Sequence, residues 1–534
     1  MNRTEKFTKL ASDVIWDLVV IGGGATGLGT ALDASLRGYS VLLLESHDFA
    51  GGTSSRSTKL LHGGVRYLGQ GNIGLVREAL QERRAILDIA PHVTAPLAFV
   101  MPSYARWRMA FYGIGLKLYD LLAGDSRLGK TQWLSKTETE RLLPGVQRDG
   151  LLGGVKYWDA QFDDARLALS IARSAELAGA VILNHTTVTA LRPVTQATDI
   201  ETDAKWTVAW TDQRRSERGV VRARCVVNAT GVWVDEVTGM LPPRGEKPSR
   251  KMVTPSQGVH LVVERSFLKG DTALLVPKTE DGRVLFAIPW LGSLILGTTD
   301  TLRDDAPREP KAREEEIAFI LREAGKALSR SPSRADVRSV WVGLRPLVAP
   351  KRSKSTQKIS REHTIELSAP AMLTVTGGKW TTYRSMAEDV LGEIQENKLL
   401  PLRGKCQTLA HRLSGSQGAQ PHSLTDSPGL HLYGGLSAEV EKYDGASDDI
   451  GLGMTAAMVR YAVHQEFAMT VEDVLARRWR ALFLDARAAL QMAPRVAEIM
   501  RGENGLDPDL DPFVALCHHY LLDASAPAAD SCGR

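Results

Sequence analysis

Two groups of residues near the start of the chain are spaced for chemistry. Gly22, Gly24 and Gly27 form a G-x-G-x-x-G with Ala25 and Thr26 inside it, and Glu45 follows Gly22 by 23 residues. That spacing suits a dinucleotide. The first glycine permits a tight turn, the second admits a pyrophosphate, and the third lets a helix pack closely on a strand. The helix start offers N–H groups and a positive dipole end to the phosphates, and the acid can accept from ribose hydroxyls. The second group runs from Gly51 to Tyr67. Thr53, Ser54, Ser55 and Ser57, with the glycines around them, would let backbone and hydroxyls wrap a bulky cofactor. Leu61, His62 and Gly63 lead on to Arg66 and Tyr67, which bring polar and cationic groups to the same place.

The elements that must position these residues are legible in the pattern. Leu18–Val19–Val20–Ile21 is a buried-strand run, a helix follows through Arg37–Gly38, and Val41–Leu42–Leu43–Leu44 is the next strand. Further on, Gly74 to Ala90 and Arg166 to Ala178 read as amphipathic helices. Asp163–Asp164 stands at the second one's N-terminal end, and Val181–Leu183 with Val188 reads as parallel-strand material. A strand over Val221 to Val227 ends in Asn228–Ala229–Thr230–Gly231–Val232–Trp233. That ending is the second mark of two-dinucleotide-binding flavoproteins, and it favours FAD over NAD. Lys251 to Leu347 is β-rich and is expected to form an antiparallel cap, with one charged helix from Arg313 to Leu328. Ala371 to Thr376 returns to the cofactor fold and is followed by Gly377, Gly378, Lys379, Thr381 and Thr382. These would let a helix start face a flavin's pyrimidine edge.

The expected architecture is therefore α/β. A Rossmann-like FAD-binding domain (residues 14–100, 150–245 and 340–400) carries a β-rich substrate cap (100–150 and 246–340). A Gly/Ser/Pro-rich linker over 403–435 leads to an all-helical C-terminal domain over 436–534. At 534 residues the chain exceeds one core, and 43% hydrophobic with 24% charged residues is an ordinary globular balance. A net charge of +4 gives no reason to expect nucleic acid. The four cysteines lack C-x-x-C spacing, and Cys517–His518–His519 with Cys532 fits no standard metal site, so no metal is expected. Met1 to Ser12 is polar rather than a secretory signal, and no apolar run is long enough to span a bilayer, so a cytoplasmic location is expected. Arg106 to Tyr119 is a basic-flanked amphipathic segment that could pack on the core or lie in a headgroup layer.

The run from Ser54 to Leu68 (S-S-R-S-T-K-L-L-H-G-G-V-R-Y-L) resembles the signature of the FAD-dependent (GlpD-type) glycerol-3-phosphate dehydrogenases. The likeness continues through Gly297–Thr298–Thr299–Asp300, Gly343–Leu344–Arg345–Pro346–Leu347 and Thr470 to Arg478. It implies non-covalent FAD and oxidation of sn-glycerol 3-phosphate to dihydroxyacetone phosphate by hydride transfer from C2 to flavin N5. It further implies a membrane quinone as acceptor, peripheral attachment to the inner face of the cell membrane, and room for a homodimer. By the same likeness Arg345 is the substrate arginine and Arg361 a second one. Lys379 binds substrate or polarises the flavin edge, Arg66 and Tyr67 approach from the opposite side, and Asp300 closes the cap sheet beside the cofactor. His62 could take the hydroxyl proton or only hydrogen-bond flavin or backbone, and Arg345 could stabilise the alkoxide instead.

Rival readings remain at this point. An oxidase passing electrons to O2 would carry the same residues. An amino- or hydroxy-acid flavoenzyme of the glycine-oxidase-like fold needs one arginine fork rather than a cationic cluster. A second full G-x-G-x-x-G, which an NAD(P)H reductase would carry, is missing. A non-catalytic flavin protein would leave the clustering of His62, Arg66, Arg345 and Lys379 without a cause.

Overall fold

The computed structural model describes residues 2–64, 72–194, 203–242, 251–348 and 363–522. Arg66, Tyr67 and Arg361 lie outside the described residues. The strand Ile15–Ile21 sits inside an eight-stranded sheet, parallel to Val41–Leu44 on one side and Arg218–Asn228 on the other. Val181–Leu183 extends the sheet beyond Val41–Leu44, and Met372–Gly377 extends it beyond Arg218–Asn228. His363–Ala369 pairs antiparallel at that edge. The first strand reads as an unbroken apolar run because both of its faces are covered. Leu18 and Val20 pack with Leu28, Ala31 and Leu391 from the helices Ala25–Leu36 and Tyr383–Glu396. Val19 and Ile21 pack on the other face with Trp206, Val208 and Trp210. Those tryptophans belong to the strand Trp206–Asp212, whose antiparallel partner is Thr186–Pro193. Val188 is therefore in an antiparallel hairpin, not in the parallel stack that its neighbour Val181–Leu183 joins.

The cap is a ten-stranded sheet built around Val253–Glu264, which pairs with Ser293–Gly297, Thr301–Leu302 and Ser339–Val348. Its far half recruits Thr94–Ser103, Gly153–Phe162, Gln132–Ser135 and Leu60–Leu61. The boundaries expected at 100, 150 and 340 shift accordingly: these strands, Ser339–Val348 among them, pair in the cap sheet. The reason is physical. An apolar strand's own sequence records that it is buried but not which sheet it joins, and the pairing is fixed by distant partners.

The stretch 403–435 is no free linker. Leu413, Leu424, Leu432 and Tyr433 are buried, the Leu413 N–H donates to the Ile89 carbonyl at 3.0 Å, and the Leu291 N–H donates to that of Leu424 at 2.8 Å. Its glycines serve close packing. At Gly415 (φ +90°) an added Cβ would lie 2.7 Å from His92 Nε2, and at Gly434 (φ +57°) one would lie 2.6 Å from His92 Cβ. Beyond it come the helices Ala456–Gln465, Ala486–Asn504 and Leu510–Tyr520, with a two-stranded ribbon at Asp449–Thr455. Within the domain expected to be all-helical, the chain is not one continuous helix from Val471 to Met492. Asp473–Arg478 forms a wide turn, Trp479 is extended (φ −123°, ψ 137°), and Asp485 restarts the chain by accepting from the Arg487 and Ala488 N–H groups. Trp290 and Trp341 of the cap share one core with Phe483 and Leu482 of the C-terminal domain. No helix among the described residues is long and apolar enough to cross a membrane.

Candidate active site

A cavity of about 340 Å³ opens where the parallel strands end, lined by Ile21, Leu44 and Val375 from three of them and by Ala229 just past the end of a fourth. Ligands of open α/β sheets bind at this edge. Three close approaches explain the glycines. A Cβ on Gly22 (φ +107°) would sit 2.7 Å from the Ala229 carbonyl oxygen, and one on Gly27 would sit 2.0 Å from that of Gly22. One on Gly378 (φ +73°) would sit 2.4 Å from Met386 Sδ. The helix Ala25–Leu36 starts at Gly24 without a side-chain cap, so its positive end faces the cavity through Gly24, Ala25 and Thr26.

At one end of the cavity stand Glu45, Ser46 and His47. The Glu45 carboxylate accepts from the Gly23 N–H at 2.6 Å and the His47 N–H at 2.8 Å, which fixes its direction. Burial nonetheless raises its pKa above the usual carboxylate value. Burial, with Arg308 nearby, pushes His47 down to about 4, so its imidazole is neutral at pH 7. Thr187 and Val188 line the cavity too, and Glu236 and Val237 from the helix after Trp233, with Met240 just beyond it, add a wall. In the middle, Ser54 Oγ accepts from the Ala25 N–H at 3.0 Å, and Thr53 Oγ1 donates to the Leu344 carbonyl at 2.5 Å. Trp233 Nε1 donates to the Ala306 carbonyl at 2.8 Å, which holds the indole over Gly52. Thr230 and Gly231 complete this stretch of lining.

At the other end are Gly377, Gly378, Lys379 and Trp380, with Pro346 from the cap. Trp380 Nε1 donates to the Ser54 carbonyl at 2.8 Å, and its ring stands edge-on to Phe162. Arg345, beside Pro346, pairs with Asp300 at 3.0 Å and donates to the Thr299 carbonyl at 3.2 Å. The cofactor sheet thus leads to one cation in the lining, Lys379, and the cap places Arg345 next in sequence to the lining residue Pro346.

Several expected residues lie behind this lining. Gly27 packs against Gly22, and Ser57 Oγ donates to Asp164 at 2.7 Å. The Ser55 carbonyl accepts from Lys59 Nζ at 2.7 Å. Leu61 is buried in the cap sheet, and the Gly63 N–H donates to Asp159 at 3.3 Å. The carbonyl of half-buried His62 accepts from Thr381 Oγ1 at 3.5 Å, and Thr382 Oγ1 donates to the Lys379 carbonyl at 3.3 Å. Sequence reasoning missed His47, Arg308, Glu236 and Met240. For His47 the signal was its place two residues after the ribose acid; Arg308 carried none.

A glycine cradle, a helix start facing the cavity and an oriented acid at one end together fit an elongated dinucleotide. The family model described as FAD dependent oxidoreductase matches residues 17–384, and that described as the C-terminal domain of alpha-glycerophosphate oxidase matches 406–510. The chain is 39% identical over 540 residues to the mitochondrial glycerol-3-phosphate dehydrogenase of Macaca fascicularis, spanning 95% of this chain and 73% of that one. It is 38% identical to the mitochondrial enzyme of Arabidopsis thaliana, spanning 93% and 84%. Among solved structures, the glycerol-3-phosphate dehydrogenase from Bacillus halodurans complexed with FAD superposes with a TM-score of 0.75 at 28% identity, covering 98% of each chain. The L-alpha-glycerophosphate oxidase from Mycoplasma pneumoniae shares the fold at 16% identity, TM-score 0.55, with 77% of this chain and 98% of that one covered.

Proposed function

The chain belongs to the FAD-dependent glycerol-3-phosphate dehydrogenase family, and from that premise we propose that it oxidises sn-glycerol 3-phosphate at C2 to dihydroxyacetone phosphate and passes the electrons to a membrane quinone. The observation that carries this reading is Lys379 in the lining at one end of the cavity, with Arg345 of the cap next to the lining residue Pro346 at that end. Two cations from separate sheets suit a phosphate dianion better than a single carboxylate. Asp300 and the Thr299 carbonyl aim the Arg345 guanidinium, so little side-chain freedom is left to lose when an anion arrives. Lys379 supplies a point charge beside Gly377–Gly378. Arg345 stabilises the charge developing on the hydroxyl oxygen in this scheme. FAD, bound along the cavity with its adenosine at Glu45, supplies the two-electron acceptor for the hydride on C2.

The acceptor side rests on the helix Arg106–Ala123. Its inner face buries Gly113, Leu116 and Tyr119, while Trp107 is 68% exposed, Phe111 67% and Leu121 76%, with Ile114 and Leu118 on the same stripe. Arg106, Arg108 and Lys117 lie beside that stripe. An apolar stripe with a cationic border suits the headgroup layer of an anionic membrane, here the inner face of the cell membrane. A second reading, electron transfer to O2, is favoured by the match of residues 406–510 to the oxidase's C-terminal domain.

The test is anaerobic reduction of the bound flavin by glycerol 3-phosphate with glycerol as control. Bleaching by the phosphoester alone supports the reading, and equal rates with both would overturn the substrate. Reoxidation faster with a quinone analogue than with O2 supports the dehydrogenase, and the reverse order supports the oxidase.

A further inference from the structure

The segment Thr470–Arg478 has no part in the chemistry above, yet it packs directly behind the loop that carries Glu45. Glu45, Ser46 and His47 face the cavity, and the next residue, Asp48, turns the other way and is wholly buried. Its carboxylate accepts from Asn184 Nδ2 at 3.0 Å and Arg478 Nη2 at 2.9 Å, and also from Arg477 Nε and Arg478 Nη1. Asp473 accepts from Arg477 Nη2 at 2.8 Å and meets His185 Nε2 at 2.9 Å. Asp48, His185 and Asp473 lie close enough together to suggest a metal centre, but two guanidinium groups already neutralise the two acids.

The third arm of Arg477 leads back to the cavity. Its Nη1 donates to Glu472 at 2.7 Å, and Arg308 Nη2 donates to both oxygens of the same carboxylate at 3.2 Å. Arg308 lines the cavity, and it and Lys379 are the described arginine and lysine side chains that do so. Its backbone is held as well, because its carbonyl accepts from Arg56 Nη1 at 2.7 Å. Lys379 serves the end near Gly377, so the end near Glu45 and His47 has Arg308 as its cation.

We propose that Arg308 is a cofactor-binding residue for the adenylate half of the dinucleotide, held in position by Glu472 of the C-terminal domain. This rests on the FAD reading and adds to it a contact supplied from outside the cofactor sheet. A guanidinium on a long side chain binds an anion well only when something orients it. Glu472 does so from the far side, and Arg477 and Asp48 lock Glu472 to the loop of Glu45. The C-terminal domain therefore reaches the cofactor through one side chain, and cofactor retention depends on its docking.

Release of FAD from the full-length holoenzyme on dilution, followed by flavin fluorescence, tests the assignment. Arg308→Met is expected to release FAD about tenfold faster, the loss of one charge-assisted hydrogen bond. Arg308→Lys should fall between it and the wild type, and Glu472→Gln should accelerate release about threefold while leaving Arg308 in place. Stripped of flavin, Arg308→Met should unfold within about 2 °C of the wild type, since the change touches a partly exposed side chain. Wild-type release by Arg308→Met, or faster release matched by a lower unfolding temperature of the stripped chain, would overturn the assignment. Wild-type release by Glu472→Gln would remove the C-terminal domain's part in it. A wild-type chain that holds no FAD would instead strike at the cofactor reading itself.

Discussion

Replacing Gly27 by alanine is the sharpest probe of the cofactor turn. The added methyl would lie 2.0 Å from the Gly22 carbonyl oxygen and 3.1 Å from its carbon, both backbone atoms that cannot rotate aside. An ordinary C···O contact is about 3.3 Å, so helix and turn must part by roughly 1.3 Å. Overpacking of that kind costs about 1–3 kcal/mol, and a shift of about 1 Å at a reacting centre can cost about a hundredfold in rate. Gly24→Ala is the informative contrast. Its φ is −79° and its nearest neighbour is the Ser54 hydroxyl at 3.2 Å, so the fold can accept the methyl while the cavity cannot. Gly115→Ala, mid-helix with nothing within 4 Å, serves as control and should gain up to about 1 kcal/mol. Thermal unfolding of the flavin-stripped chain and FAD titration separate the three. Gly27→Ala should lower the midpoint by roughly 5 °C and abolish tight FAD binding. Gly24→Ala should keep the midpoint and weaken FAD at least about tenfold. A Gly27→Ala chain with the wild-type midpoint and wild-type FAD affinity would refute the steric reasoning, and full FAD affinity in Gly24→Ala would move the cofactor elsewhere.

Arg345→Met should raise KM for glycerol 3-phosphate about a hundredfold with FAD retention unchanged, because it removes a charge-assisted pair with the phosphate; steady-state kinetics with a soluble acceptor would show an unchanged KM if the arginine has no substrate role. Trp107→Ser with Phe111→Ser should lower binding to anionic liposomes by more than about a hundredfold, at about 1.5–3 kcal/mol per aromatic side chain buried, and leave soluble-acceptor activity intact. Equal sedimentation of variant and wild type with the liposomes would count against that face. The third concerns acid. Burial, with Arg166 and Arg412 nearby, pushes His92 down to about 3, below its ordinary 6.5. The unfolded chain therefore takes up a proton that the folded one refuses, and stability present above pH 6.5 drains away as pH falls toward 3. At pH 5 the loss is on the order of 2 kcal/mol. His92→Gln should flatten that slope in unfolding-temperature measurements between pH 7 and pH 5, and a slope as steep as the wild type's would exclude His92 as its source.

How much was legible in advance depended on whether the information was local. The turn at Gly22, Gly24 and Gly27 and the acid at Glu45 announce themselves within one βαβ unit, and the residues there that face the cavity were readable from spacing. The helix Asp164–Leu177 likewise declares its start, since Asp163 accepts from the Ala165 and Arg166 N–H groups. What failed was non-local. Thr94–Ser103 and Gly153–Phe162 have nothing in their sequence that assigns them to the cap, and the choice is made by Thr272–Val276 far along the chain. The stretch 403–435 looked like a linker because glycine and serine mark both flexible chain and tight packing; the His92 ring, some 320 residues earlier, decides which. Arg308 was invisible for the same reason, since its partner Glu472 lies in another domain.

The strand order of the cofactor sheet has a consequence for biosynthesis. The first strand and its glycine turn leave the ribosome early, but Met372–Gly377, which extends the sheet beyond Arg218–Asn228 and carries the far wall of the cavity, is made some 350 residues later. Arg477 and Arg478, which back the loop of Glu45, emerge later still. A nascent chain therefore carries the turn for most of its synthesis without a finished place to put a flavin, and cofactor loading belongs to the last stage of translation or after it.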